Sequence, residues 1–112
     1  MVIFIYNYNN DVYVSLINAT RDSLKELFQL NEHFYYCSLM ILDDATPCIS
    51  AWSEESLNNF IYNRYGTINV EKSEIMKYKW SYADSPYFAY GYKKYFQYVE
   101  GLFNKEIDLS FK

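Results

Sequence analysis

One histidine, two cysteines, three glycines and two prolines in 112 residues leave this sequence poor in the residues from which most enzyme motifs are built. With His33 as the sole histidine, a zinc site would have to draw its remaining ligands from carboxylates, and neither a C-x-x-C nor an H-x-x-x-H spacing occurs. So few glycines argue against a loop of backbone amides cradling phosphate, and no GxSxG, HExxH or glycine-rich nucleotide signature is present. A nucleophile needs a base within hydrogen-bond reach. Cys37 and Cys48 fall inside strand-like runs, His33 adjoins Glu32, and Asp84 lies in a turn-like stretch, so no such set is legible. The expectation is a non-enzyme with no catalytic residue, no metal and no cofactor.

Positive charge is also scarce. Ten basic side chains against fourteen acidic ones give a net charge of −4, the wrong sign for gripping a phosphate backbone. The one basic concentration, Lys72, Lys77, Lys79, Lys93 and Lys94, is interrupted by Glu71 and Glu74, so direct nucleic-acid binding is not expected and a basic partner is. No stretch approaches the ~20 apolar residues of a membrane span, and the start "MVIFIYNYNN" lacks a basic leader region and a small-residue cleavage site. A cytoplasmic protein without membrane contact is expected. Repeats and Pro/Gly-rich linkers are absent too, so residues 1–112 read as a single domain.

What is abundant is aromatic side chains: 14 Tyr, 8 Phe and 2 Trp. Such rings bury a body and keep a polar tip wet, which suits a small core whose walls reach the surface. Between Asn10 and Leu30, Tyr13, Ile17, Leu24, Leu27 and Phe28 recur near helical spacing and predict a helix ending near Asn31, although residues 2–18 also fit a hairpin around "NND". "HFYYCSLMILDDATPCISAWS" predicts two strands joined by a turn at Asp43-Asp44-Ala45-Thr46. That turn pairs Leu42 with Pro47, Ile41 with Cys48, Met40 with Ile49, Leu39 with Ser50 and Cys37 with Trp52. Both faces of the hairpin are mostly apolar, so it should be covered on both sides, and the register rests on the turn alone. Cys37 and Cys48 then stand ~13 Å apart along the ladder, too far for a disulfide.

"SEESLNNFIYNRYG" carries helix signals: Ser53 as cap, Glu54 and Glu55 at the positive end of the dipole, Trp52 and Leu57 at staple positions, and Gly66 as the stop. The two glutamates read as helix-start residues rather than an acid/base couple. Thr67 to Lys77 predicts a loop or short strand. From Gly91, the residues Tyr92, Tyr95, Phe96, Val99, Leu102 and Phe103 form one stripe of a final, inward-facing helix. "KWSYADSPYF" before it reads as a compact turn capped by Ser81 and Asp84, with Trp80 buried and only Tyr82, Asp84, Tyr87 and Tyr90 left as candidates for exposure.

"NEHFYYCSLMI", "PCISAWSEESL" and "YKWSYADSPY" together resemble the DUF4303 family, bacterial domains of unknown function often suggested to act as immunity proteins of polymorphic or contact-dependent toxin systems. The resemblance covers about residues 20 to 103, while the chain is short for the family and its segment Thr67 to Lys77 matches nothing. It implies an α+β domain, a small antiparallel hairpin or sheet packed by about three helices, in which Phe34, Tyr35, Trp52, Ser53, Trp80, Ser81 and Asp84 hold the fold. It also implies a partner: the C-terminal toxin domain of such a system, expected to be a basic nuclease, RNA-directed ones included. Candidate partner-binding residues are Asp43 and Asp44 on the hairpin turn, together with Tyr82, Asp84, Tyr87 and Tyr90. Glu54-Glu55 lies ~20 Å away at the other end of the strands. The alternative is a regulatory or structural binding domain with no toxin partner.

Overall fold

The computed structural model describes residues 10–42 and 46–110, without the side chains of residues 10 and 106–110. Helix α1 (Asn10–Phe28) settles the choice between helix and hairpin for residues 10–18, while residues 2–9 fall outside the described residues. Its buried stripe is Val12, Leu16, Ala19, Ser23 and Leu27. The expected stripe is therefore out of phase in its first half, because Tyr13 and Ile17 face outward. The reason is volume. Phe96, Val99 and Phe103 fill the space opposite together with small Ala19, and Ser23 gives the close approach of Gly91 room.

Strands β1 (Phe34–Ile41) and β2 (Pro47–Ser53) form an antiparallel hairpin, the only sheet among the described residues. The register differs from the expected one by a residue: Ile41 pairs with Pro47, Met40 with Cys48, Leu39 with Ile49, Ser38 with Ser50, Cys37 with Ala51 and Tyr36 with Trp52. Leu42 N–H donates to the Thr46 carbonyl at 3.0 Å, so Thr46 belongs to the ladder rather than to the connection. A one-residue slip exchanges the faces of one strand relative to the other, and because both faces are apolar nothing in the side-chain pattern could reveal it. Cys37 and Cys48 consequently lie on opposite faces of the hairpin, and neither forms a disulfide.

All seven residues of β2 are buried, but Cys37 and Leu39 of β1 are exposed, so the expectation of a hairpin covered on both sides holds for β2 only. One face, with Ile49 and Ala51, joins α1, a π-helical turn (Tyr92–Phe96) and α4 (Gln97–Ser110) in the larger core. The other carries Trp52 into a second core with Leu57 and Ile61 of α2 (Glu54–Tyr65), against which Phe60, Val70, Ile75 and Tyr78 pack. Helix α2 starts and stops as its sequence predicts: Ser53 Oγ accepts from Ser56 N–H at 2.9 Å, and Gly66 closes the end at φ 74°. Helix α3 (Lys72–Lys79) occupies the stretch expected to be loop or strand, and no residue of it is fully buried. The result is an α+β fold with four α-helices among the described residues.

Candidate protein-binding surface

Between α3 and the π-helical turn, the chain from Lys79 to Tyr90 is tied to the hairpin through its own backbone. Tyr35 Oη donates to the Lys79 carbonyl, Trp52 Nε1–H to that of Ser81 and Ser50 Oγ to that of Tyr82, each at 2.8 Å. In the return direction, Ser85 Oγ donates to the Ala51 carbonyl and Tyr90 N–H to that of Ile49. Groups on β1 and β2 thus satisfy the carbonyls of a segment that has no ladder of its own, and the polar atoms of buried Trp52 and Ser50 are satisfied in the same act. Of these donors the sequence reasoning missed Ser50 and Ser85, and it singled out Tyr35 and Trp52 without their partners. A Tyr, a Ser and a Trp in strand-like runs read as strand, and nothing local says that they face a segment 29 to 44 residues on.

With those carbonyls turned inward, several rings turn out. Trp80 is 51% exposed, Tyr82 45% and Phe88 39%. The expectation that Trp80 is buried is therefore corrected: the indole lies across Tyr35 (5.3 Å, 89°) and Tyr36 (6.1 Å, 70°) as an outer layer, with the Lys79 ammonium 5.6 Å from its ring centre. Tyr82 stands 6.3 Å from Phe88. Asp84 is exposed, and its carboxylate accepts from Ser81 Oγ at 2.6 Å, closing the turn as expected. Tyr87 and Tyr90 are half-buried and belong to the fold's interior edge, 6.2 Å apart. Asp43 and Asp44 lie outside the described residues.

A second polar group sits where β1 begins and α2 starts. Glu32 accepts from both Ser53 Oγ and Tyr87 Oη, the latter at 2.5 Å. Glu55 accepts from His33 N–H at 2.9 Å and also meets the imidazole Nδ1, while the His33 carbonyl accepts from Glu54 N–H at 2.9 Å. Glu55 is held down to about 2, first by its hydrogen bond with the His33 ring, and the same contact raises His33 above its ordinary 6.5. Burial, then the bond to Glu32, pushes the Tyr87 phenol up to about 12. The adjoining cleft, about 380 Å³, is lined by Glu32, Glu55, Asn59, Asn63, Phe60 and Tyr87 among others, with no Lys or Arg on its walls. Glu54 lines a second cleft beside Tyr35 and Trp80.

Chemically, Ser53, the hydroxyl residue nearest the start of α2, is no free nucleophile for the His33–Glu55 pair, because its Oγ is buried and engaged with Glu32 and Ser56. Among the described residues no three metal-ligating side chains converge, and no helix is long and apolar enough to cross a membrane. What the surface offers is exposed rings on a backbone-anchored segment, with the Lys79 ammonium over Trp80 and Glu54 in the adjoining cleft. The family model that matches the chain, over residues 16–111, is described as a domain of unknown function, DUF4303. Neither the curated proteins nor the solved structures contain a match.

Proposed function

The chain belongs to the DUF4303 family, and from that premise we propose that it is a non-catalytic binding domain that neutralises the toxin domain of a polymorphic or contact-dependent toxin system. The observation that supports this most is the presentation of Trp80, Tyr82 and Phe88 on a segment whose backbone is anchored at Lys79, Ser81 and Tyr82. Interface energy concentrates in a few aromatic anchors, and anchors that are already ordered lose little entropy on binding. The net charge of −4, Glu54 in the cleft beside Trp80 and the exposed Asp84 two residues after Tyr82 favour a basic partner such as a nuclease, whose substrate-binding face is positive. The same charge would keep such a partner's nucleic-acid substrate away. In this reading the protein acts in the cytoplasm, where the toxin does its damage.

The test is co-expression and titration with the toxin domain encoded beside this chain. A stable complex and rescued growth are expected, with Trp80→Ala weakening binding by about 2 kcal/mol or more while the variant stays folded. Growth arrest in spite of co-expression would refute the reading. A complex formed with a non-toxic neighbour instead would support a regulatory binding domain.

A further inference from the structure

The hairpin has two outer edges, and among the described residues only one is covered. Ile49 turns its carbonyl away from β1 to accept from Tyr90 N–H at 3.0 Å, and Ala51 does the same toward Ser85 Oγ. Antiparallel pairs alternate between those that bond each other and those that point outward. Leu42 bonds across to Thr46, so Met40, Ser38 and Tyr36 are the residues of β1 that bond β2, and Cys37, Leu39 and Ile41 direct their N–H and C=O groups to the far edge. Three separate contacts thus agree on the phase. Among the described residues, no backbone partner meets Cys37, Leu39 or Ile41 on that side.

An open edge is normally blunted by lysine, proline or an inward charge. β1, "FYYCSLMI", has none of these; its single irregularity is the register shift between Phe34 and Tyr36, at the end remote from Leu39. The side chains of Cys37 and Leu39 are exposed as well, Leu39 by 41%. We infer that this edge pairs with the same edge of a second copy of the chain, antiparallel about a two-fold axis at Leu39. Leu39 then faces Leu39 of the second copy, Cys37 faces Ile41 and Ile41 faces Cys37, so every outward group of the three residues is used.

Charge selects this occupant over a basic protein. Two chains of net charge −4 repel except where neither carries charge, and β1 is an eight-residue element without a carboxylate or ammonium. Closure supports it too. Because Tyr90 and Ser85 already meet Ile49 and Ala51 on the far edge of β2, a four-stranded sheet made this way has, among the described residues, no second free edge to extend, and assembly stops at the dimer instead of running on as a fibre.

Sedimentation equilibrium of the full chain over a concentration series should show a reversible dimer, with slowed amide exchange at Cys37, Leu39 and Ile41 in the dimer only. Leu39→Pro removes an outward donor that the hairpin does not use, and Leu39→Lys places like charges face to face across the axis. Each should raise the dimer dissociation constant at least about tenfold while the circular dichroism spectrum is kept. The lysine variant carries the test if proline unfolds the hairpin. A wild-type chain that stays monomeric at high concentration would overturn the inference. So would a folded Leu39→Lys dimer of undiminished affinity, or amide protection that appears only on adding another protein.

Discussion

Trp52 and Trp80 show how differently one residue type is used 28 positions apart. Trp52 is wholly buried and donates its indole N–H to Ser81, so Trp52→Ala should cost about 3 to 5 kcal/mol and leave the chain largely unfolded by thermal melting. Trp80 rests on two tyrosines at the surface, and Trp80→Ala should cost only about 1 kcal/mol. A variant at position 80 that melts as low as the one at position 52 would show that the outer ring is structural. The sequence could not separate the two, because both precede a serine and both lie in blocks that the family resemblance marks as holding the fold. The pairing of His33 with Glu55 was equally hidden, since it joins residues 22 apart. Its consequence is a pH dependence of definite sign. His33, with a raised pKa, contributes fully below about 6.5 and loses its contribution as pH rises through the raised value; Glu55, lowered to about 2, contributes above about 4.5 and loses it as pH falls toward 2. The pair is therefore complete from about pH 4.5 to 6.5. Glu55→Gln should flatten the melting temperature's decline above that window, a small effect that shrinks with salt because both groups are exposed.

At the scale of elements, legibility followed locality. Helix α2 could be read end to end because its cap at Ser53 and its stop at Gly66 are written within its own residues. The stripe of the last helix could be read because Phe96, Val99 and Phe103 leave no second phase to choose from. Helix α3 could not: it has no capping side chain and no fully buried residue, and its hold on the second core comes from Ile75 and Tyr78, only partly buried. Nor could the hairpin register, set by Thr46 joining the ladder. The junction of α1 with the π-helical turn gives a sharper prediction. Gly91 sits at φ 76°, and a Cβ there would stand 2.5 Å from Ser23 Oγ. Gly91→Ala should destabilise by about 1 kcal/mol from the backbone alone and more from the collision. Adding Ser23→Ala removes the colliding oxygen, so chemical denaturation of the double variant should recover part of the loss. Strictly additive losses would mean that the two helices do not meet as described.

For the molecule as a whole, two cores share one strand. Ile49 and Ala51 point into the larger core and Trp52 into the smaller, and neither core persists if β2 leaves. Unfolding should therefore be a single transition, with tryptophan fluorescence and far-ultraviolet dichroism tracing the same curve; separated midpoints would show two independent units. The ties across the chain also order events in time. Tyr35, Ser50 and Trp52 donate to carbonyls 44, 32 and 29 residues further along, so these donors have nowhere to bond while the ribosome has yet to deliver the segment from Lys79 to Tyr90. The wholly buried strand β2 is made early and satisfied late. A nascent chain arrested before Lys79 should be protease-sensitive and prone to capture by chaperones, and the same chain extended past the π-helical turn should become resistant.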